Sequence, residues 1–235
     1  MTRMGRFALF ALVCGCSYTA SSVADDQPAS DSPVAEPDGP PTDSPVLPPD
    51  TPPPPEDGPA TPTTSDHVTN ADTWVQVNFA DTNNGAAGFV IADGNPLCVS
   101  LLRFDLSGLA GTTVNAVELH VFTNFDPGAT VQAFAMNESW SESQATWNQR
   151  ANGQAWMTAG ASPPSRGNTA LATFTPATPD TEFSSMLDTA TVQGWIDNAG
   201  TNFGLAIASV NSDGPKFLSR EAANFKPFLR IKHTP

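Results

Sequence analysis

Chemistry in this chain has to come from carboxylates, aromatic rings and a few arginines. The three histidines, His67, His120 and His233, stand singly, and there is no His-Glu-x-x-His, Gly-x-Ser-x-Gly, phosphate-binding loop or Cys-x-x-Cys. Glu138 and Glu142 flank Trp140, and glycoside hydrolysis uses two carboxyls roughly 5 to 10 Å apart in a cleft. Surface loops bring acids that close routinely, so the expectation is a protein that is not an enzyme.

Aromatic rings point elsewhere. The flat apolar face of a pyranose packs on an indole while its hydroxyls bond polar neighbours. Trp140 in Asn-Glu-Ser-Trp-Ser-Glu-Ser and Trp156 in Gly-Gln-Ala-Trp-Met-Thr-Ala-Gly sit among small polar residues, as exposed ligand-contacting rings would. Arg220-Glu221 ends an apolar run. The pair reads either as a surface ion pair or as a site where arginine grips a uronate carboxylate with both arms. Trp140, Trp156, Arg220 and Glu221 are therefore the candidate ligand-binding residues, and polysaccharide, including uronate-containing glycan, is the candidate partner. Ca²⁺ is a candidate structural ion, because Asp72 with Asp105, Asp81 with Asn83 and Asn84, and Asp93 with Asn95 offer the oxygens a hard cation takes. The same residues are also the commonest turn formers.

The segments that must carry these groups differ sharply in composition. Residues 17–66 hold ten of the 24 acidic residues, 14 of the 23 prolines and no basic residue. So little apolar surface cannot offset ordering entropy, which predicts a disordered acidic linker. In polyproline II form it would reach on the order of 100 Å. Residues 67–235 carry 14 acidic and eight basic residues, too little positive charge for a nucleic acid partner. Ahead of the linker, Arg3 and Arg6 precede an apolar run from Phe7 to Val13 that is too short to span a bilayer. Val13-Cys14-Gly15-Cys16 resembles the bacterial lipobox, which implies cleavage before an acylated Cys16 and a lipid anchor in the cell envelope, at the outer membrane or cell surface. Ordinary secretion is the alternative. Cys98 would then be the one free thiol of the mature chain, so the domain is expected to hold itself together by core burial or a bound metal rather than a disulfide.

From residue 67 onward the chain reads as strands. Val117, Leu119 and Val121 alternate with Glu118, His120 and Phe122, and Thr73 to Phe79 alternates likewise. Further runs at 88–92, 99–106, 130–136, 170–175, 182–187, 203–209, 216–219 and 227–233 are separated by Gly, Asn, Asp and Pro clusters. About ten short strands predict an all-β sandwich. One short helix is expected over 189–198, where Val192, Trp195 and Ile196 have helical spacing, Asp188 or Thr189 can cap the start and Gly200 follows the end.

Ala71-Asp72-Thr73-Trp74-Val75, Ser100 to Ser107 (SLLRFDLS), Trp140 with Glu142 and Thr146-Trp147, Val192-Gln193-Gly194-Trp195, Asn202-Phe203-Gly204-Leu205, Phe217 to Glu221 and Pro227 to Ile231 together resemble the DNRLRE domain family, carbohydrate-binding module family 96. The resemblance runs from about Asp66 to Pro235. It implies a jelly-roll β-sandwich of extracellular proteins, related to carbohydrate-binding modules including alginate-binding ones. It also implies that Trp147 and Trp195, carried within its motifs, sit in the core. The chain departs from the family at Asn95-Pro96-Leu97-Cys98-Val99, where an Asn-Arg pair is frequent. The resulting expectation is a non-catalytic surface lipoprotein whose sandwich binds polysaccharide. The alternative is a structural or adhesive protein contacting another protein. Trp140 and Trp156 beside one sheet face would favour sugar, and a broad apolar patch would favour protein.

Overall fold

A computed structural model describes Gly58, residues 60–125 and residues 128–235. The segment expected to be a signal peptide, Cys16 and most of the expected linker lie outside the described residues. The strands are β1 (Thr63–Gln76), β2 (Phe89–Ile91), β3 (Asp93–Gly94), β4 (Leu97–Phe104), β5 (Thr113–Phe125), β6 (Val131–Ala135) and β7 (Gln149–Ala151). They continue with β8 (Gln154–Ala155), β9 (Ala172–Phe174), β10 (Thr181–Met186), β11 (Leu205–Ser209), β12 (Lys216–Leu218) and β13 (Phe228–Thr234). One helix, α1 (Thr189–Asp197), follows β10.

All pairings are antiparallel, in the order β2-β12-β5-β13-β1-β4-β11-β6-β9, with β10 beside β5 and β3 beside β4. The path folds into a sandwich because β1 belongs to both layers. Thr63 to Val68 pair with β13, Thr69 to Gln76 pair with β4, and the register slips between Thr69 and Ala71. Asn70 is the extra residue of that bulge, the device by which a strand turns a corner between sheets. The front layer is thus β2, β12, β5, β10, β13 and the start of β1; the back layer is the rest of β1 with β3, β4, β11, β6 and β9.

Between the layers the inward residues of β5 (Val117, Leu119, Val121) and β13 (Leu229, Ile231) meet Leu102 and Phe104 of β4 and Leu205 and Ile207 of β11, all essentially inaccessible. Burying each such side chain stabilises the fold by about 1.5 to 3 kcal/mol. Helix α1 closes one end of this core with Val192, Trp195 and Ile196. As expected, the Asp188 carboxylate caps it, accepting from Thr191 N at 2.9 Å. Gln193 ties it to the sheet, accepting from Val114 N at 2.7 Å and donating to Thr112 O at 3.1 Å.

The back layer is buried on both faces. Ala71, Val75, Val99, Leu101, Ala206 and Ala208 point away from the first core into a second one, closed by Trp140, Ala145, Trp156 and Ala161 of the long connection after β6. This explains why β4 (LCVSLLRF) and β11 (LAIAS) read as unbroken apolar runs instead of alternating.

Two expected boundaries shift. The linker was expected to run to Asp66, yet Thr63 to Asp66 are paired strand opposite Arg230 to His233. Their order comes from the backbone ladder on β13, which needs no apolar side chain and so leaves no hydrophobic signal. At the other end of β1, the alternation through Phe79 suggests strand, but pairing with β4 ends at Gln76, and Val77–Phe79 form a 3₁₀ turn with Val77 and Phe79 exposed.

Candidate functional site

Trp140 and Trp156, the two rings expected at the surface, are buried at 4% and 5% exposure. Each indole N–H is satisfied internally, Trp140 by the carbonyl of Phe203 and Trp156 by that of Thr146, both at 2.8 Å. Neither ring face is open to a sugar. The small polar residues around them in sequence are the outward half of a segment whose tryptophans point down onto the small Ala206 and Ala208 of β11. Trp195 is core, as the resemblance implied. Trp147 is half-buried against the second core, with Gly160 (φ +70°) so close that a Cβ there would lie 2.3 Å from its ring.

Arg220 and Glu221 also serve the fold. The Arg220 fork embraces Glu142, with Nε and Nη2 donating to its two oxygens, the latter at 2.8 Å, and Glu221 adds a contact to Nε at 3.0 Å. The arms that would take a uronate are occupied. Buried Asp72 completes the group: its backbone N–H donates to Glu142 Oε1 at 2.8 Å, and its Oδ2 accepts from Arg220 N at 2.7 Å. Glu138, the other half of the supposed acid pair, accepts from Met157 N at 2.9 Å and sits 3.5 Å from Arg150 Nε.

Among the described residues, Asp72, Glu142 and Glu221 are the one set of three carboxylate, histidine or cysteine ligands whose atoms lie within 4.8 Å of one another. The positive charge beside them is Arg220. The residues named for Ca²⁺ are spent on turns: Asp105 Oδ1 accepts from Ser107 N, Asp93 Oδ1 from Asn95 N and Asn83 Oδ1 from Gly85 N, while Asp81 Oδ1 accepts from the Asn148 side chain. They do not fit a shared cation site.

Burial, reinforced by Glu221 and Glu142, pushes the Asp72 carboxyl up to about 7. A carboxyl that keeps its proton longer in the folded state than in the unfolded one adds stability below its unfolded value of 3.8, and that stability is lost as pH rises to about 7. Asp72→Asn should therefore match the parent near pH 4 and exceed it at pH 8 by on the order of a few kcal/mol. Thermal melts of both proteins across that range check this; a constant difference would contradict it.

What remains open is the outer face of the front layer. Register places its outward side chains in rows across four strands: Val68, Phe228, His120 and Ser184 in one, Asp66, Arg230, Glu118 and Met186 in the next. His120 stacks on Phe228 with ring centroids 4.3 Å apart and 11° between planes. Its two nitrogens are held by Glu182 and Glu118. Phe122, one step along β5, packs on Phe225 at 4.6 Å. Arg230 grips Asp66 with two bonds of 2.8 and 2.7 Å and lies over the Phe228 ring at 5.3 Å. That fork holds the Asp66 carboxyl below its usual range. A recess of about 190 Å³ opens between Thr64, Ala116, Glu118, Arg230 and Lys232.

Phe225 stands out on this face. It is 61% exposed and held at φ +62°, a left-handed conformation that costs a side-chain-bearing residue about 1 to 2 kcal/mol. Backbone strain that serves no core contact clusters at functional sites. Phe122, Phe225, Phe228 and Arg230 are not among the residues expected to bind. Their signal was present: aromatic rings occupy the polar side of two alternating strands.

The family model of carbohydrate-binding module family 96 matches residues 63–233. No curated protein matches the chain.

Proposed function

The chain belongs to carbohydrate-binding module family 96, and from that premise we propose that it is a non-catalytic module that binds polysaccharide on the outer face of its front layer. The observation that carries this reading is the outward aromatic group Phe228, Phe122 and Phe225, in which Phe228 is backed by the buried ring of His120, bordered by Arg230, Lys232, Glu118 and Glu182. Rings supply the platform for the apolar face of a sugar, and the charged border supplies partners for hydroxyls or uronate carboxylates. The face runs across four strands, which suits a chain passing over it. The opposite face of the back layer is covered by the second core.

The rest of the chain fits display. Cys16 is the proposed acylation site, residues 17–62 the proposed stalk, and the outer membrane or cell surface the proposed location. Cys16→Ser should abolish incorporation of labelled lipid while Cys14→Ser leaves it intact, since a stable anchor needs more than one acyl chain. Unlipidated wild-type protein in the culture medium would count against the anchor.

The test of binding is electrophoresis of the full chain through gels cast with alginate, pectin, xylan, cellulose derivatives or no polysaccharide. Retardation in at least one gel, abolished by Phe228→Ala and Phe225→Gly together, is the expected result. If no polysaccharide retards the chain, the adhesive alternative takes precedence.

A further inference from the structure

We infer that the pocket at the corner where β1 changes layers is a second glycan subsite, which takes the terminal pyranose of a chain and reads its hydroxyls. The inference rests on the polysaccharide-binding reading and adds a place for the chain's end. The cavity is about 460 Å³, within the roughly 300–1,000 Å³ of small-molecule sites. The outer face is flat by comparison, so the two surfaces suit different parts of a glycan.

Its lining is that of a polyol site. Trp195 and Ile196 of α1, 5% and 7% exposed, close the floor of the cavity and present little of their apolar surface to it. Arg103 forms another side; its Nη1 donates to Trp140 O at 3.3 Å, and its other N–H groups have no acceptor among the described residues. Asp105 lies near, exposed, its carboxylate accepting from Ser107 N at 3.0 Å. An arginine donor beside a carboxylate acceptor matches neighbouring hydroxyls of a sugar ring, each of which both donates and accepts.

Two further residues shape the pocket. Asn202 Nδ2 donates to Phe104 O at 2.9 Å, which fixes the amide and leaves Oδ1 buried without a donor. That oxygen is closed even to water, so the amide serves the pocket as a fixed part of its lining. Asn70 is the extra residue of the β1 bulge, and bulges beside binding sites re-aim a side chain. It lines the pocket and has no side-chain partner among the described residues. Val68 of the outer face lies two residues earlier on the same strand, about 7 Å away along it. A chain crossing the face can therefore end at the pocket.

Charge sets the class of sugar. Arg103 and Asp105 offset each other, so the pocket favours a neutral terminal pyranose and should bind it with little dependence on salt. The test adds methyl β-D-glucopyranoside, methyl β-D-galactopyranoside and methyl α-D-mannopyranoside separately to the ¹⁵N-labelled full chain. The Asn202 side-chain amide and Trp195 indole signals are then followed. At least one glycoside should give saturable shifts at millimolar concentration. Ala110→Trp, which fills the pocket from an exposed position, should weaken that binding tenfold or more, and Asn70→Ala should weaken it severalfold. Should the tryptophan disturb the fold, the Asn70 variant decides. No saturable shift with any of the three, or unchanged binding in the decisive variant, overturns the inference. A chain retarded by polysaccharide but blind to all three glycosides loses the pocket alone. One that binds a glycoside but no polysaccharide loses the outer face alone.

Discussion

Trp140→Ala and Trp156→Ala should each lower the melting temperature of the full chain by roughly 6 to 20 °C. The figure follows from about 3 to 5 kcal/mol for removing a buried indole and about 2 to 4 °C per kcal/mol for a domain of this size. Each substitution opens a cavity in the second core and leaves a carbonyl, of Phe203 or Thr146, without its N–H partner. The losses arise in the layer away from the proposed glycan face. Molecules of Trp156→Ala that remain folded should therefore bind polysaccharide as the parent does, whereas Trp140→Ala also removes the ring under Arg103 of the corner pocket. Calorimetry at neutral pH combined with gel retardation below the lowered transition checks both halves. A variant that melts within 2 °C of the parent yet no longer binds would restore these tryptophans to the role the sequence first suggested, at odds with their burial.

The contrast shows where sequence reasoning reached and where it stopped. Alternation in β5 gave its inward and outward faces correctly, because one side of the strand meets the core and the other faces outward. Helix α1 was legible from its cap and three apolar residues at helical spacing. The tryptophans were misread because local polarity was taken for exposure. The counter-signal lay elsewhere, in the unbroken apolar runs of β4 and β11, which require a cover on both sides. Only a partner segment with large rings can cover Ala206 and Ala208, and the connection holding Trp140 and Trp156 supplies them.

The start of β1 was illegible for the opposite reason, since backbone pairing orders it and side chains hardly contribute. Arg220 and Glu221 were noticed for their charge, but their partner Glu142 lies 78 residues from Arg220 in sequence, a separation no local pattern spans. The outer face needed register. Phe228, His120 and Ser184 come from three strands and become neighbours only once β13, β5 and β10 are aligned.

Phe225 gives the sharpest separation of binding from folding. Replacing it by glycine removes the ring from the face and relieves a backbone held at φ +62°. The relief is worth about 1 to 2 kcal/mol, and the lost contact with Phe122 is worth about 0.5 to 1.5 kcal/mol. The two nearly cancel, so the melting temperature should stay close to that of the parent. Binding has no such compensation. Loss of one stacked aromatic should cost on the order of 1 to 3 kcal/mol, roughly fivefold to more than a hundredfold in affinity.

The decisive measurement is therefore the dissociation constant of Phe225→Gly for whichever polysaccharide retards the parent, taken beside its melting curve. Weakening by fivefold or more with an unchanged melt is the predicted result. An affinity equal to the parent's, with the fold intact, would contradict the placement of the glycan on the outer face of the front layer.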